Sequence, residues 1–310
     1  MSDTVLTAKV TPPSVAPITP RESLLRQQLD DLFASPGAIL GLAILTVVVA
    51  LAVFAPYIAP QNPYDLEQLD IMDNMLPPGS LLGSGYTAWL GTDDQGRDML
   101  SAIIYGLRIS LSVGAVSVLV ASVIGASVGV TAAYFGKRVD TIIMRIVDLQ
   151  LSFPSILVAL VLLSAFGRGV DKVILALVIV QWAYYARTVR GSALVEKSKD
   201  YIAAASCLEL PRRRILFRHL LPNCIPPLIV VSTVQIAHAI ALESTLSFLG
   251  VGVPVTEPSL GMLIATGYDF LLSGKYWIST FPGLALVVVI VAINLVGDRL
   301  RVVLNPRLTR

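Results

Sequence analysis

Six runs without Asp, Glu, Lys or Arg, at residues 37–58, 109–135, 149–166, 173–186, 223–242 and 276–297, set the tightest limit on how this chain can fold. A bilayer core of roughly 30 Å is crossed by about 20 helical residues at 1.5 Å rise each, and in lipid the backbone polar groups must bond within the segment. The fourth run, of 14 residues, is too short alone. It has to take in residues around Gly169 and Thr188, with Lys172 and Arg187 snorkelling outward and Trp182, Tyr184 and Tyr185 at one interface. The stretch 259–270 is apolar but too short to cross, which places it outside the membrane core or in a re-entrant turn. An all-α membrane protein with about six transmembrane helices is therefore expected. A charged content of 14% and a mean hydropathy of +0.75 exclude a soluble domain, where roughly a quarter of residues are charged. A net charge of +2 gives no argument for nucleic acid.

Of the 23 Lys and Arg residues, 18 fall on one side of these spans, and only Arg97, Arg108, Arg168, Lys172 and Lys275 on the other. The positive-inside rule then puts both termini and the loop 190–222 in the cytoplasm. The chain divides into a Pro-rich cytoplasmic tail with an amphipathic lead-in (1–36), a first transmembrane helix (37–58) and an external loop (59–108). A core of five spans (109–298) and a cytoplasmic C-terminal tail (299–310) follow. The first run is longer than the apolar core of a cleaved signal peptide, so an uncleaved helix is expected.

Catalytic chemistry finds no foothold. Cys207 and Cys224 show no metal or redox spacing and read as free thiols. The histidines are His219 and His238, without an HExxH or GxSxG arrangement, so neither a metal site nor a catalytic residue is assigned. Gly136-Lys137 and Gly274-Lys275 are preceded five residues earlier by Thr131 and Asp269, so there is no Walker A loop.

Within the spans, Ser117, Ala121, Gly125, Gly129 and Ala133 put small residues four apart on one helical face, which suits close approach by another helix, of this chain or of a partner. Glu243 is an ionisable group inside a span, costing roughly 2.5 to 3.5 kcal/mol, and must face a cavity or a partner group. Two readings stay open: a pathway or gate position with His238 five residues before it, or a buried contact with a hydroxyl or Arg. Pro154 is a further gate candidate because it kinks span three. Arg145 and Asp148, three apart, read as a local ion pair.

The segment Asp200-Tyr201-Ile202-Ala203-Ala204-Ala205-Ser206-Cys207-Leu208-Glu209-Leu210-Pro211, followed by Arg218-His219-Leu220-Leu221-Pro222-Asn223, resembles the EAA loop of ABC importer permeases. In that family the loop forms a short coupling helix seated in a groove of the ATPase subunit. The resemblance implies an ATPase-coupling role for Tyr201, Ala203, Ala204, Ala205, Leu208, Glu209 and Pro211. Tyr201, Ala204, Ala205 and Leu208 share a face by i, i+3, i+4 and i+7 spacing, the way a helix presents anchors to a groove. Ala203 stands where the family has Glu. Glu209 stands where it has the Gly of a left-handed helix end, which implies a different exit through Leu210-Pro211.

Further stretches resemble the peptide and nickel branch of these permeases, specifically the C-type half of a dipeptide or oligopeptide pore. They are Leu90-Gly91-Thr92-Asp93-Asp94-Gln95-Gly96-Arg97-Asp98, then Leu246-Ser247-Phe248-Leu249-Gly250, then Gly297-Asp298 with Asn305-Pro306. The resemblance implies the transmembrane domain of a type I ABC importer in a bacterial inner membrane. It also implies a second, B-type permease subunit, two ATPase subunits that hold ATP and Mg, and an external substrate-binding protein. No cofactor falls to this chain. Asp93, Asp94, Arg97 and Asp98 become docking candidates for the binding protein, against a purely structural role in the external loop. An ion- or proton-coupled secondary transporter using Glu243 is the alternative.

Overall fold

The computed structural model describes residues 30–65 and 69–304. The expected tail before residue 30 and the Asn305-Pro306 pair lie outside the described residues. Helix α1 (Pro36–Val53) leads through a loop bearing a small antiparallel hairpin, β1 (Ser80–Leu81) and β2 (Thr87–Ala88), into α2 (Met99–Phe135). Helices α3 (Lys137–Ser152), α4 (Ser155–Phe166), α5 (Val170–Lys197) and α6 (Asp200–Cys207) follow, then α7 (Ile225–Phe248), α8 (Leu260–Tyr268) and α9 (Trp277–Leu304). Helices α1, α2, α5 and α9 are each long and apolar enough to cross a membrane, as is the run Arg212–Phe248 that ends in α7. Helices α3 and α4 bend by 90° at Phe153-Pro154 and make a sixth span when taken together. The architecture is the expected all-α, multi-pass bundle.

Helix ends depart from the charge-free runs wherever a charge can be tolerated at the rim. Helix α2 begins at Met99, and its 37 residues rise about 55 Å, far more than a bilayer core. The loop expected over 59–108 is thus helical from residue 99 onward, and Arg108 does not interrupt it. Helix α5 extends the short fourth run to 28 residues, ending beyond Arg190 at Lys197. The 259–270 stretch supplies α8, whose Leu260 and Leu263 are buried. Its Gly261 and Gly267 lie so close to Ser244 of α7 and to Ile278 and Ser279 of α9 that a Cβ would collide.

The centre of the bundle is α2 against α5. Ser117, Ala121, Gly125, Gly129 and Ala133 are all buried, and a Cβ on Gly125 or Gly129 would run into the backbone of Trp182 or Ala186. The small-residue stripe therefore meets a helix of the same chain. Small side chains let the two backbones pack closely where lipid supplies no hydrophobic drive. Helix α1 is peripheral by comparison, with 22% of its spanning window buried against 56% for α2 and α5.

Candidate coupling site

Helix α6 lies at the end of the bundle that carries Arg190, Lys197 and Arg212–Arg214. Its inward face is Ile202 and Ala205, both buried, packed in a cluster with Val189 and Ala193 of α5 and Ile215, Leu216, Leu220 and Cys224 ahead of α7. Its outward face is Tyr201, Ala204 and Leu208, with Ala203 and Cys207 beside them, all exposed. Leu208 is 74% exposed. Ala205 belongs to the inward set, so it is not one of the outward anchors that the i, i+3, i+4, i+7 spacing suggests: at a 100° step it turns away with Ile202.

Two braces hold this helix. The Tyr201 hydroxyl donates to Glu196 Oε2 at 2.9 Å and accepts from Asn223 Nδ2 at 3.1 Å, while Asn223 also donates to the His219 carbonyl at 2.7 Å. Lys199 donates to Glu196 Oε1 at 2.6 Å. Burial and the Glu196 carboxylate push the Tyr201 phenol up to about 12, so the hydroxyl keeps its proton. Glu196 escapes sequence reasoning because it sits outside the helix; Asn223 closes the segment that resembles the EAA loop, but its bond to Tyr201 is seen only in the structure.

The exit from α6 differs from the one implied by Glu209. That residue itself takes the left-handed conformation, at φ +51°. Its amide donates to the Ser206 carbonyl at 3.1 Å, and the Leu210 amide to the Ala205 carbonyl at 3.3 Å. Together these are the two bonds of a Schellman end, with Leu210 packed onto the same cluster as Ala205. Pro211, next in line, opens the single turn Arg212–Arg214. A π-helical turn, Ile215–Leu220, then leads toward α7.

At the opposite end of the bundle, three of the four docking candidates are buried. Asp93 Oδ2 pairs with Arg97 Nε at 2.6 Å, and Asp93 Oδ1 accepts from the amides of Gln95 and Arg97, each at 2.9 Å. Asp98 caps α2 by accepting from the Ser101 amide at 2.8 Å and its hydroxyl at 2.7 Å. Burial pushes its carboxyl above the usual range. Asp93, Arg97 and Asp98 thus hold the loop and the start of α2 with their side chains buried inside the chain. Asp94 alone is partly exposed, in a cleft of about 500 Å³ with Phe248, Tyr268 and Asp269.

Glu243 is fully buried. Its carboxylate accepts from Ser110 of α2 at 2.9 Å, from Ser247 at 2.8 Å and from Ser244 at 3.4 Å. Of the two readings, the geometry carries the buried hydroxyl contact, which ties α7 to α2. His238 is half-buried, and no hydrogen bond joins it to Glu243 among the described residues. Pro154 sits at the 90° break between α3 and α4, a full bend and not a kink. Asp148 pairs with Arg187 of α5 in place of Arg145, and Asp140 takes Arg190 bidentately at 2.5 and 2.6 Å. Both ion pairs pin α3 to α5, which a spacing argument confined to one helix could not find.

Residues 122–310 match the family model of the binding-protein-dependent transport system inner membrane component, and residues 23–78 match that of the N-terminal TM domain of oligopeptide transport permease C. The chain belongs to this permease family. Similar proteins include the dipeptide transport system permease protein DppC of Haemophilus influenzae, 37% identical over 88% of this chain and 91% of the relative. DppC of Escherichia coli is 40% identical over 88% and 89%. A putative peptide transport system permease protein of Brucella suis is 40% identical over 87% of each. Among solved structures, the MetNI methionine ABC transporter in an inward-facing conformation aligns with a TM-score of 0.54 at 23% identity, over 66% of this chain and 97% of that one. The permease has the transmembrane fold of a type I ABC importer, and the secondary-transporter alternative finds no support.

Proposed function

We propose that this permease subunit forms one half of a heterodimeric path in an ATP-driven importer for peptides or related small solutes. A second, B-type permease supplies the other half, two separate ATPase subunits hydrolyse ATP with Mg, and an external binding protein delivers the solute. The peptide class rests on relatives whose names are those of dipeptide and peptide permeases. In this reading the basic end faces the cytoplasm of a bacterial inner membrane, with both chain termini on that side. The span 37–58, the external loop and the coupling loop 190–222 then take the places the sequence assigns them.

One observation carries the coupling role: Tyr201, Ala204 and Leu208 form an exposed apolar face on a helix pinned from behind by Ile202 and Ala205. An apolar helical face of this spacing is what a groove accepts. Ala203 widens the contact; Ala205, Glu209 and Pro211 set its frame. Asp94 is the remaining docking residue for the binding protein, and the Pro154 bend is the gate candidate.

Leu208→Arg tests the reading, since it places a charge in an apolar groove. Tagged wild type and variant are extracted from native membranes in mild detergent, and the co-purifying proteins are identified by mass spectrometry. The wild type should bring both ATPase and a second permease, and the variant only the permease. A wild type that arrives without ATPase, under conditions preserving other complexes, refutes the coupling role.

A further inference from the structure

We propose that a cleft between α1 and the bundle holds one phospholipid, its phosphate on Arg108 and an acyl chain lying along α1. Helix α1 meets α9 closely at Gly41, where a Cβ would come within 2.8 Å of Leu295. Beyond the other end of α1, Ala55 is fully buried against Ile104 and Tyr105 of α2. Between these two contacts Val48 and Ala52 pack α1 onto the bundle, and beside that seam lies a cavity of about 510 Å³ whose walls include Leu45, Val49, Leu111, Ile236 and Ile293.

The polar groups in those walls decide the occupant. The Ser112 hydroxyl donates to the Arg108 carbonyl at 2.6 Å, and the Thr233 hydroxyl to the Val230 carbonyl at 2.8 Å, so both are turned back onto their own helices. Arg108 is exposed and has no ion-pair partner among the described residues. The cavity thus offers an apolar slot with one unspent guanidinium. The level of that cation is interfacial. Arg108 lies one turn after the buried Tyr105, whose ring meets that of the exposed Tyr64 edge-on at 5.5 Å, and Tyr57, two residues past the Ala55 that packs on Tyr105, is 87% exposed. Tyrosines of this kind mark the headgroup region, where Arg finds lipid phosphate. From Leu45 to Val53, α1 rises about 12 Å, a slot directed from that level toward the bilayer centre. A soluble anion would have no use for the apolar walls, and an apolar partner helix would leave the guanidinium unpaired. A phospholipid satisfies both, in the outer leaflet on the orientation proposed above.

The test uses the purified importer in vesicles of phosphatidylethanolamine and phosphatidylglycerol. These are doped with phosphatidylglycerol carrying a photoactivatable diazirine on its acyl chain. Adducts should concentrate on residues 45–53 and 108–115, above the level on the open lipid-facing surface at Leu284 and Val287 of α9. A diazirine diacylglycerol, which lacks the phosphate, should label the cleft about fivefold less, as should the phosphatidylglycerol probe on Arg108→Gln. Ala115→Trp, which fills the cleft, should abolish its labelling. Equal labelling of the cleft and the open surface, or no dependence on the probe's phosphate, overturns the proposal. So does a cysteine at position 49 that cross-links to the second permease subunit, because a protein then occupies the slot. The comparison of the two probes needs no variant, so failed assembly of a mutant does not block the decision.

Discussion

Glu209→Gly should make helix α6 more stable, although it removes a side chain. Glu209 holds φ at +51°, a conformation that costs an L-residue about 1–2 kcal/mol because Cβ crowds the following carbonyl. Glycine removes that cost and returns about 0.5–1 kcal/mol through the greater freedom of its unfolded chain. The net is about 0.5–1 kcal/mol in favour of the closed Schellman end. Since 1.4 kcal/mol is tenfold in an equilibrium, amides across residues 205–212 should exchange with deuterium about two- to fivefold more slowly, provided exchange proceeds by local opening. Glu209→Val, branched at Cβ and worse in the left-handed region, should exchange faster than wild type. Glu209→Asn removes the charge but tolerates the conformation, so it should fall between wild type and Gly. Mass-spectrometric exchange on the assembled complex reads all four proteins. A Gly variant that exchanges as fast as wild type, or a Val variant that exchanges no faster, refutes the strain argument.

Three further outcomes follow from the buried polar groups and close contacts. Glu243→Leu strands the hydroxyls of Ser110 and Ser247 and should cost about 2–4 kcal/mol in thermal unfolding. Glu243→Gln, which keeps an acceptor oxygen, should lose about 1 kcal/mol and retain transport; a Leu variant as stable as wild type would contradict the interior role. Burial and then the neighbouring Asp93 charge raise the Asp94 carboxyl from its ordinary value of 3.8. Protonation therefore favours the fold: that increment is complete below the unfolded value and disappears as pH rises through the folded one. Asp94→Asn should melt higher than wild type near pH 7, with the gap narrowing toward about pH 4; a gap independent of pH would reject this cause. Gly125→Leu must force α2 off the α5 backbone and should cost about 3 kcal/mol or more, seen as lost folded yield. Gly283→Ala, where a Cβ meets open space, is the control and should be neutral in the same assay.

What could be read from the residues alone was what depends on one segment at a time. Charge-free length gave about six spans, because a bilayer imposes that length whatever else a helix touches. The small-residue stripe of α2 showed that something packs closely there, but only the structure supplied α5 as its neighbour. Spacing within span three suggested Arg145 for Asp148, whereas Arg187, 39 residues on, takes it. The same limit hid the burial of Asp93 and Arg97: a turn rich in carboxylates looks like a surface until the pairing across it is known. Glu209 misled for a different reason. Propensity disfavours Glu in the left-handed region, yet the two carbonyls at the end of α6 and the packing of the partly buried Leu210 impose the conformation on whatever residue sits there.

In helix α6 the long-range braces matter more than the helix's own sequence. Eight residues are too few for a stable helix in water, so α6 must borrow its order from elsewhere. Ile202 and Ala205 tie it to the apolar cluster, but apolar contacts alone would let it slide, since they are non-directional. The Tyr201 hydroxyl removes that freedom, because it is bonded at once to Glu196 at the end of α5 and to Asn223 at the start of the run into α7. A displacement of α6 therefore loads two spanning helices together, and α7 is itself tied to α2 through Glu243 and Ser110. This chain of directional contacts joins the exposed face at Leu208 to the middle of the bundle. In the proposed importer a push on α6 would be passed to the spans along these contacts.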